Sequence, residues 1–544
     1  MKGMKFAFTA MACVFAAAAL SGCGGGGGKG AVSNCTVSPI SYGVTETVDD
    51  PDYYSTLVDN DRADHLGVVV CPYYSLTVGG VEVPVYSTRC AKNLHSFAYV
   101  DIEKTDAEKD FGVEVVLTTL EHSTVLTKKN PSVTVLPEKR GVAAEIDGGK
   151  IKAHISSFGS FTFTFNKRSE QALTLYLAQK EELQVPDGWD TVEIEPAKHT
   201  MRETTYTKSN TVYIFKQGKH LVDCITIPSE SWVYLEDGAY LEAYPDGEGA
   251  ANPVFTSSGG KNVKLFGHGI VDFSPDRGGE AYDFVRKGTF NFNGINNFTV
   301  KGLISINSNT WTMCFTNCEN VYIEGIMLFG YRVYSDGIML SDCRDSLVTK
   351  CFVRTGDDAM ETKSTYGGEG THNVTYRDND CWTDKGIGYG VIWETNADVS
   401  GVYFKDCSVG FAQSNWHTRL GALAIQLGDH AYSVSDVHFE DIEIYRCESE
   451  AVINLGLSEK GKRIENIYFR NVHCALTAGY LFRMYEHDLS TQGARFGNIY
   501  LDNVSKNGVK LTAENRNDKS LNMTNYAIGY SGWSEEKIVH INTL

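Results

Sequence analysis

The chain has 544 residues, 42% of them hydrophobic and 22% charged. A length above about 500 residues exceeds what one compact core normally supports, so two domains are expected. The formal net charge of −19 argues against nucleic acid as a partner, because affinity for a phosphate backbone rests on Lys and Arg. It also disfavours a polyanionic substrate unless a local basic cleft overrides the average.

The first residues, MKGMK, are basic and precede the apolar run FAFTAMACVFAAAAL and then LSGC. That order reads as a secretory signal over residues 1–22 ending in a lipobox, and the run is too short to span a bilayer. It resembles the leaders of bacterial lipoproteins. The resemblance implies a lipidated Cys23 that holds an exported protein to the outer membrane, at its periplasmic or cell-surface face. Residues 23–34 combine that cysteine with a glycine-rich tether, which cannot pack a core. No second hydrophobic run reaches spanning length, so a monomer anchored to a membrane, rather than threaded through it, is expected.

Residues 35–195 read as a β-sandwich. YSLTVGGVEVPVYS, HSFAYVDIE, FGVEVVLTTL, SSFGSFTFTFN and ALTLYLA are short alternating strands separated by Gly, Asp, Asn and Pro turns, with no long repeat among them. The turn Pro186-Asp187-Gly188 marks the approach to a second domain, residues 196–544, which TVYIFKQGKH and WVYLEDGAYLEAY open.

That second domain is repetitive. A short apolar strand headed by Asn, Asp or Gly recurs at Asn297, Asn320, Asp345, Asn373, Gly401, Asp436, Asn466 and Asn498, with an earlier unit at Asn262. The spacing suits one solenoid coil plus loop excursions, and the apolar–polar alternation within each unit suits a strand with one buried face. With little helical pattern between the strands, the period predicts an all-β right-handed parallel β-helix. Cys318, Cys343, Cys351 and Cys407 keep constant positions in the repeat and read as interior ladder residues. Metal ligation by them is disfavoured because no Cys-x-x-Cys spacing occurs.

Two segments place acids at the same edge of successive coils: YSDGIML, with Asp336, and RTGDDAMETKS, with Asp357, Asp358 and Lys363. Both can project from one sheet a strand spacing or two apart. Adjacent strand residues face opposite ways, so the chain must bend for both Asp357 and Asp358 to reach a cleft, and Gly356 permits a bend. Crowded carboxylates push one member toward its protonated form while the others stay ionised. Glycosidic cleavage needs that division of labour. A turn merely capped by aspartates would explain Gly-Asp-Asp alone, but not Asp336 one coil away.

The stretch from Ser308 to Ser364 resembles the catalytic coils of clan N glycoside hydrolases, families 28 (polygalacturonase-like) and 49 (dextranase- and isopullulanase-like), with an Asp-Gly coil followed by an Asp-Asp coil. The resemblance implies a single-stranded, pectin-lyase-like β-helix and inverting hydrolysis of a polysaccharide, without a cofactor. It also implies Asp357 as the general acid, with Asp336 and Asp358 activating water. A sandwich ahead of the helix resembles family 49 more than family 28. Family 28 places Gly-His-Gly one coil after the acids, where this chain has Tyr389. It then places Arg-Ile-Lys where this chain has Ala424, Ile425 and Gln426. That basic pair holds a uronate carboxylate, so a neutral sugar is expected unless His417 or Arg419 substitutes.

Lys363 is placed to meet a hydroxyl or steady an ionised aspartate, with a solvated strand-end lysine as the plain alternative. Gln426 and the aromatics Trp311, Tyr334, Tyr389, Trp393 and Trp416 are candidate sugar contacts, two of the five rings being expected to line a cleft. His268, within Gly267-His268-Gly269, precedes the acids by several coils and reads as a turn residue. A pectin hydrolase, a Ca²⁺-dependent β-helix lyase and a non-catalytic glycan-binding surface protein are the alternatives.

Overall fold

The computed structural model describes residues 34–56, 66–105, 110–196, 204–244, 253–275, 289–414, 421–427, 432–457, 463–486, 496–525 and 538–543. The leader, Cys23 and the tether lie outside the described residues, as do Trp416, His417 and Arg419. Apart from two 3₁₀ turns, Pro51–Thr56 and Glu138–Arg140, the described elements are strands.

The N-terminal part is a pair of sheets. One carries Val69–Val70, Tyr86–Cys90, Asn93–Lys104, Arg168–Gln179, Gly159–Phe165 and Val133–Leu136 in spatial order, with Cys35–Pro39 paired to Asn93–Lys104. The other has five strands, including Tyr74–Val78, Val113–Thr119 and Lys150–Ile155. Their facing sides enclose Leu76, Val115, Phe163 and Leu175. Tyr74–Val78 and Val113–Thr119 alternate between buried and more exposed positions, as strands with one wet face should. The central strands of the larger sheet do not alternate: Leu94–Ile102 and Ala172–Ala178 contain a run of buried residues on both faces. Phe97, Tyr99, Ala172 and Tyr176 pack against Ile304, Ile306, Phe329, Phe352 and Trp382 of the solenoid, so the second face is also a core.

Among the described residues the solenoid winds as a right-handed parallel β-helix through a 23-stranded sheet and a 12-stranded sheet. Its first strand, Asp190–Ile194, already pairs in parallel with Thr211–Phe215. The recurring strand heads are corners. Asn262, Asn297, Asn320, Asp345, Asn373, Asp436 and Asn466 all have φ between 50° and 62°. Asn and Asp tolerate this left-handed conformation better than other non-glycine residues. Gly401 holds the same corner at φ 63°. The corner amides also bond along the axis, as where Asn297 Nδ2 donates to Asn262 Oδ1 at 2.7 Å. Inside, Phe404, Phe439 and Phe469 stack at 4.9 and 4.8 Å between centroids. Cys318, Cys343, Cys351 and Cys407 are buried there as free thiols.

A polar bolt crosses between the two parts. The Arg354 guanidinium donates to both carboxylate oxygens of Asp384 at 3.1 Å. Its Nη1 lies 2.8 Å from His95 Nδ1, while His95 Nε2 lies 2.8 Å from Thr174 Oγ1. Burial holds the His95 imidazole well below its ordinary pKa, and the Arg354 charge adds to the effect. The neutral ring can therefore accept at Nδ1 while donating at Nε2.

Because Arg354 is fully buried, Asp384→Ala would leave its charge without a counter-ion. The expected cost is about 3–5 kcal/mol, read as a lower denaturant midpoint of the full chain. An unchanged midpoint would show that the pair is dispensable.

Candidate active site

The strands Met313–Thr316, Ile338–Ser341, Met360–Ser364, Tyr389–Thr395 and Gly421–Leu427 are successive neighbours in the 12-stranded sheet. Asp336 stands two residues ahead of Ile338, and Asp357 with Asp358 occupies the bend ahead of Met360. Backbone bonds lock these bends together: Thr312 N donates to Asp336 O, and Gly337 N to Asp358 O, both at 2.8 Å. The hydroxyls of Thr355 and Thr383 donate to Asp357 O at 2.6 and 2.8 Å.

Gly356 is needed here for close approach rather than for conformational freedom. Its φ is not left-handed, but a Cβ there would lie 2.4 Å from the carbonyl of Tyr331. Gly386 is equally tight, its Cβ position being 2.4 Å from Asp357 C and 2.5 Å from Asp358 Oδ1.

The paired acids diverge. Asp357 Oδ2 accepts from the backbone N–H of Tyr334 at 3.0 Å, in the coil before. Asp358 Oδ1 accepts from the N–H of Ile387 at 2.9 Å, in the coil after. Tyr334 presents its N–H from a left-handed φ of 67°, a strained conformation for a tyrosine. In the strand that follows, side chains alternate. Met360 enters the apolar core, so Glu361 and Lys363 share the opposite face.

Lys363 is the centre of that face. Its Nζ lies 3.3 Å from Asp336 Oδ2, 3.1 Å from Glu361 Oε1 and 3.0 Å from Glu394 Oε2. It also lies 4.3 Å from the centroid of Trp311, a cation–π contact. Glu394 reaches it through a bulge: Thr362 pairs with Val391 but Ser364 with Thr395, so three residues face Lys363 alone. Trp393, at φ 50°, is one of those three.

Three carboxyl groups, Asp336, Glu361 and Glu394, thus contact one ammonium, whose charge also acts on Asp357 and Asp358. Burial raises the Asp357 pKa well above the usual carboxylate range, and the charges of Asp336 and Asp358 raise it further. Asp358 is pushed up to about 7 by burial and by Asp336, with Lys363 opposing. Glu361 is likewise held well above its ordinary value, first by burial, and the charge of Asp336 adds to the effect. Burial draws the Lys363 pKa down, but Glu361, Glu394, Asp336 and Asp358 outweigh it and leave the ammonium firmly charged. Single oxygens of Asp336, Asp358 and Glu361 lie within 4.8 Å of one another, a spacing that could hold a cation. Lys363 already brings a positive charge to two of the three.

The structure brings together Asp336, Asp357, Asp358, Lys363, Trp311 and Tyr334. It does not bring Tyr389 to the cleft. Tyr389 pairs in register with Met360, which pairs with Ile338, and this inward row carries it into the core. It is fully buried there, its hydroxyl donating to the carbonyls of Asn379 and Ser408 at 2.9 and 3.1 Å. The expectation of a sugar contact at Tyr389 is therefore corrected. Trp393 packs half-buried against Ile387, Ile392 and Ala424. Gln426 is buried, its Nε2 3.5 Å from Asn454 Oδ1.

Glu361 and Glu394 were not anticipated. Two-residue alternation from Lys363 would have found Glu361. Glu394 depends on the bulge, for which the sequence carries no clear signal.

Residues 257–479 match the sequence model of Glycosyl hydrolases family 28. A polygalacturonase of Medicago sativa is 25% identical over 174 residues, 30% of this chain and 38% of that protein. A polygalacturonase of Gossypium barbadense is 25% identical over 236 residues, 39% of this chain and 54% of that protein. The chain thus covers less than two thirds of the length of these relatives. Among solved structures, Dex49A from Penicillium minioluteum has a TM-score of 0.66 at 14% identity, over 94% of this chain and 100% of that one. This last likeness is one of fold. The resemblance to right-handed parallel β-helix glycoside hydrolases is thus shown in sequence over residues 257–479 and in fold over most of the chain.

The raised acids have a stability consequence. A carboxyl whose folded pKa exceeds its unfolded value binds more protons in the native state, so native stability falls as pH rises between the two values. For Asp358 that window runs from the ordinary aspartate range, about 4, to about 7. Asp358→Asn should therefore raise Tm at pH 8 by an amount on the order of a few degrees, and much less at pH 4. Equal shifts at both pH values in calorimetry would contradict the charge crowding.

Proposed function

We propose that the chain hydrolyses glycosidic bonds of a polysaccharide with inversion at the anomeric carbon. The observation that carries this reading is the split among acids one coil apart. Asp357, turned to the Tyr334 N–H of the coil before, is held toward its protonated form by burial and its acidic neighbours, while Asp358, turned to the coil after, changes charge near 7 and Asp336 lies against the Lys363 ammonium.

In this reading Asp357 gives its proton to the departing glycosidic oxygen. Asp336 and Asp358 orient water and take its proton as the oxygen attacks from the opposite face of the ring. The backbone N–H of Tyr334 holds Asp357 in place and favours the carboxylate that proton donation leaves behind. Lys363 steadies the charge on Asp336.

A neutral glucan fits better than a pectic chain. Along the outward row, after Glu361 come Gly390, Ala424 and Asn454 in register, with Gln426 beside them. Among the described residues these are small or amide groups, and Arg483, next in the row, is paired with Glu450 at 2.5 Å, where uronate binding calls for an uncommitted guanidinium or ammonium. The charge of Lys363 is already matched by carboxylates. The matched family and the polygalacturonase relatives favour the second reading, a pectic substrate. We further propose that Cys23 carries lipid and holds a monomeric, exported enzyme at the outer membrane.

Assay against α-glucans, galactans and pectins, with NMR of the first-formed anomer, separates these readings. Asp357→Asn is expected to lower kcat on the cleaved glycan by about 10²–10⁴-fold. Wild-type turnover in that variant would remove the acid assignment. Cleavage of homogalacturonan in preference to every neutral glucan would establish the pectic reading. Cys23→Ser should move the protein from the membrane fraction to the soluble fraction, and retention in the membrane would end the lipoprotein proposal.

A further inference from the structure

A second group of ligand-capable side chains lies where the sandwich meets the solenoid. Asp101 comes from the sandwich strand Asn93–Lys104. Asp237 and His268 come from the bends after Ser231–Leu235 and Lys261–Gly267 in successive coils. His268 Nδ1 is 3.0 Å from Asp237 Oδ1 and 3.4 Å from Asp101 Oδ2.

The imidazole is fixed from several sides. His268 N donates to Leu235 O at 3.1 Å, and Tyr42 Oη donates to His268 O at 2.8 Å. The ring lies 4.7 Å from that of Tyr99. Gly267, at φ 113°, lets the chain pass so close to the coil before that a Cβ would sit 2.0 Å from Leu235 O.

Protonated histidine alone does not satisfy this arrangement. Nδ1 carries a single hydrogen, and two carboxylates compete for it. Asp101 is 3% exposed, and its Oδ1 is shut off from solvent with no hydrogen-bond partner among the described residues. A buried acceptor left bare costs about 1–3 kcal/mol. A cation would engage all three groups at once, because one ligand atom from each lies within 4.8 Å of the others. Asp237 is 56% exposed and leaves a route from solvent.

We infer that Asp101, Asp237 and His268 bind one divalent transition-metal ion of the Zn²⁺ type, which ties the sandwich to the solenoid. One imidazole nitrogen and two carboxylates form a donor set that Zn²⁺ accepts, with water completing four-coordination on the open side. Ca²⁺ takes six to eight oxygens and matches the set less well. The ion binds neutral His268 through Nδ1 and draws ligands from both domains, so its binding energy adds to the cohesion between them.

The probe is Zn²⁺ alone, added to the chelator-treated full chain. One equivalent should bind by calorimetry, and thermal unfolding should shift upward. Asp101→Asn and Asp237→Asn should each weaken binding at least about tenfold, by comparison with the 10–100-fold effects of outer-shell changes. Asp237 is exposed, so its variant tests the site even if Asp101→Asn fails to fold. Co²⁺ should give a visible spectrum without thiolate bands, and His268→Gln should abolish it. Failure to bind Zn²⁺, unchanged affinity in Asp237→Asn, or a thiolate spectrum would overturn the proposal.

Discussion

The acidic edge exists because successive coils pair in parallel and in register. Ile338, Met360 and Tyr389 form one row across three coils, and the outward positions Met339, Glu361 and Gly390 form the next. A side chain's face is set by parity along its strand, and its neighbours are set by its row. Residues more than twenty positions apart in sequence thereby become lateral neighbours, and acids scattered along the chain converge on one ammonium. The same ladder explains why the bends tolerate no added Cβ at Gly356 or Gly386. The backbones of adjacent coils are already in contact there.

That register imposes an electrostatic conflict which the site does not relieve. Hydrophobic side chains of the same volume would pack this edge at no charge cost, whereas buried carboxylates resist ionisation and repel one another. Lys363 answers part of the excess, and backbone N–H groups from the flanking coils answer more at Asp357 and Asp358. The remainder appears as carboxyl pKa values raised at Asp357, Asp358 and Glu361, with Asp358 brought only to about 7. Such raised values are what acid catalysis draws on, and natural proteins accept destabilised sites of this kind where chemistry is performed.

Much of this was legible in the residues, and the exceptions share a cause. The corner Asn and Asp residues announced the coils because few other side chains accept a left-handed φ, and the constant cysteine positions announced the interior. Asp336, Asp357 and Asp358 declared themselves by falling at one edge. Tyr389 was misplaced because alignment to a family position says nothing about parity along the strand, and parity sent it inward. Glu394 was invisible because a bulge breaks the two-residue rhythm on which such reasoning depends. HSFAYVDIE and ALTLYLA read as strands with one buried face, yet both their faces are covered. The second covering comes from solenoid residues hundreds of positions away.

That double covering bears on how far the chain is modular. Phe97, Tyr99, Ala172 and Tyr176 cannot be wetted without also uncovering Phe329, Phe352 and Trp382 on the solenoid. Dissecting the molecule between Gln179 and Asp190, where the last sandwich strand ends and the first solenoid strand begins, would therefore expose two matched apolar surfaces together with the edges of long sheets, the combination that leads to aggregation. The sandwich behaves as half of a shared interior rather than as an appended module. Gene fusions, truncations and domain exchanges in this architecture would have to move both halves together.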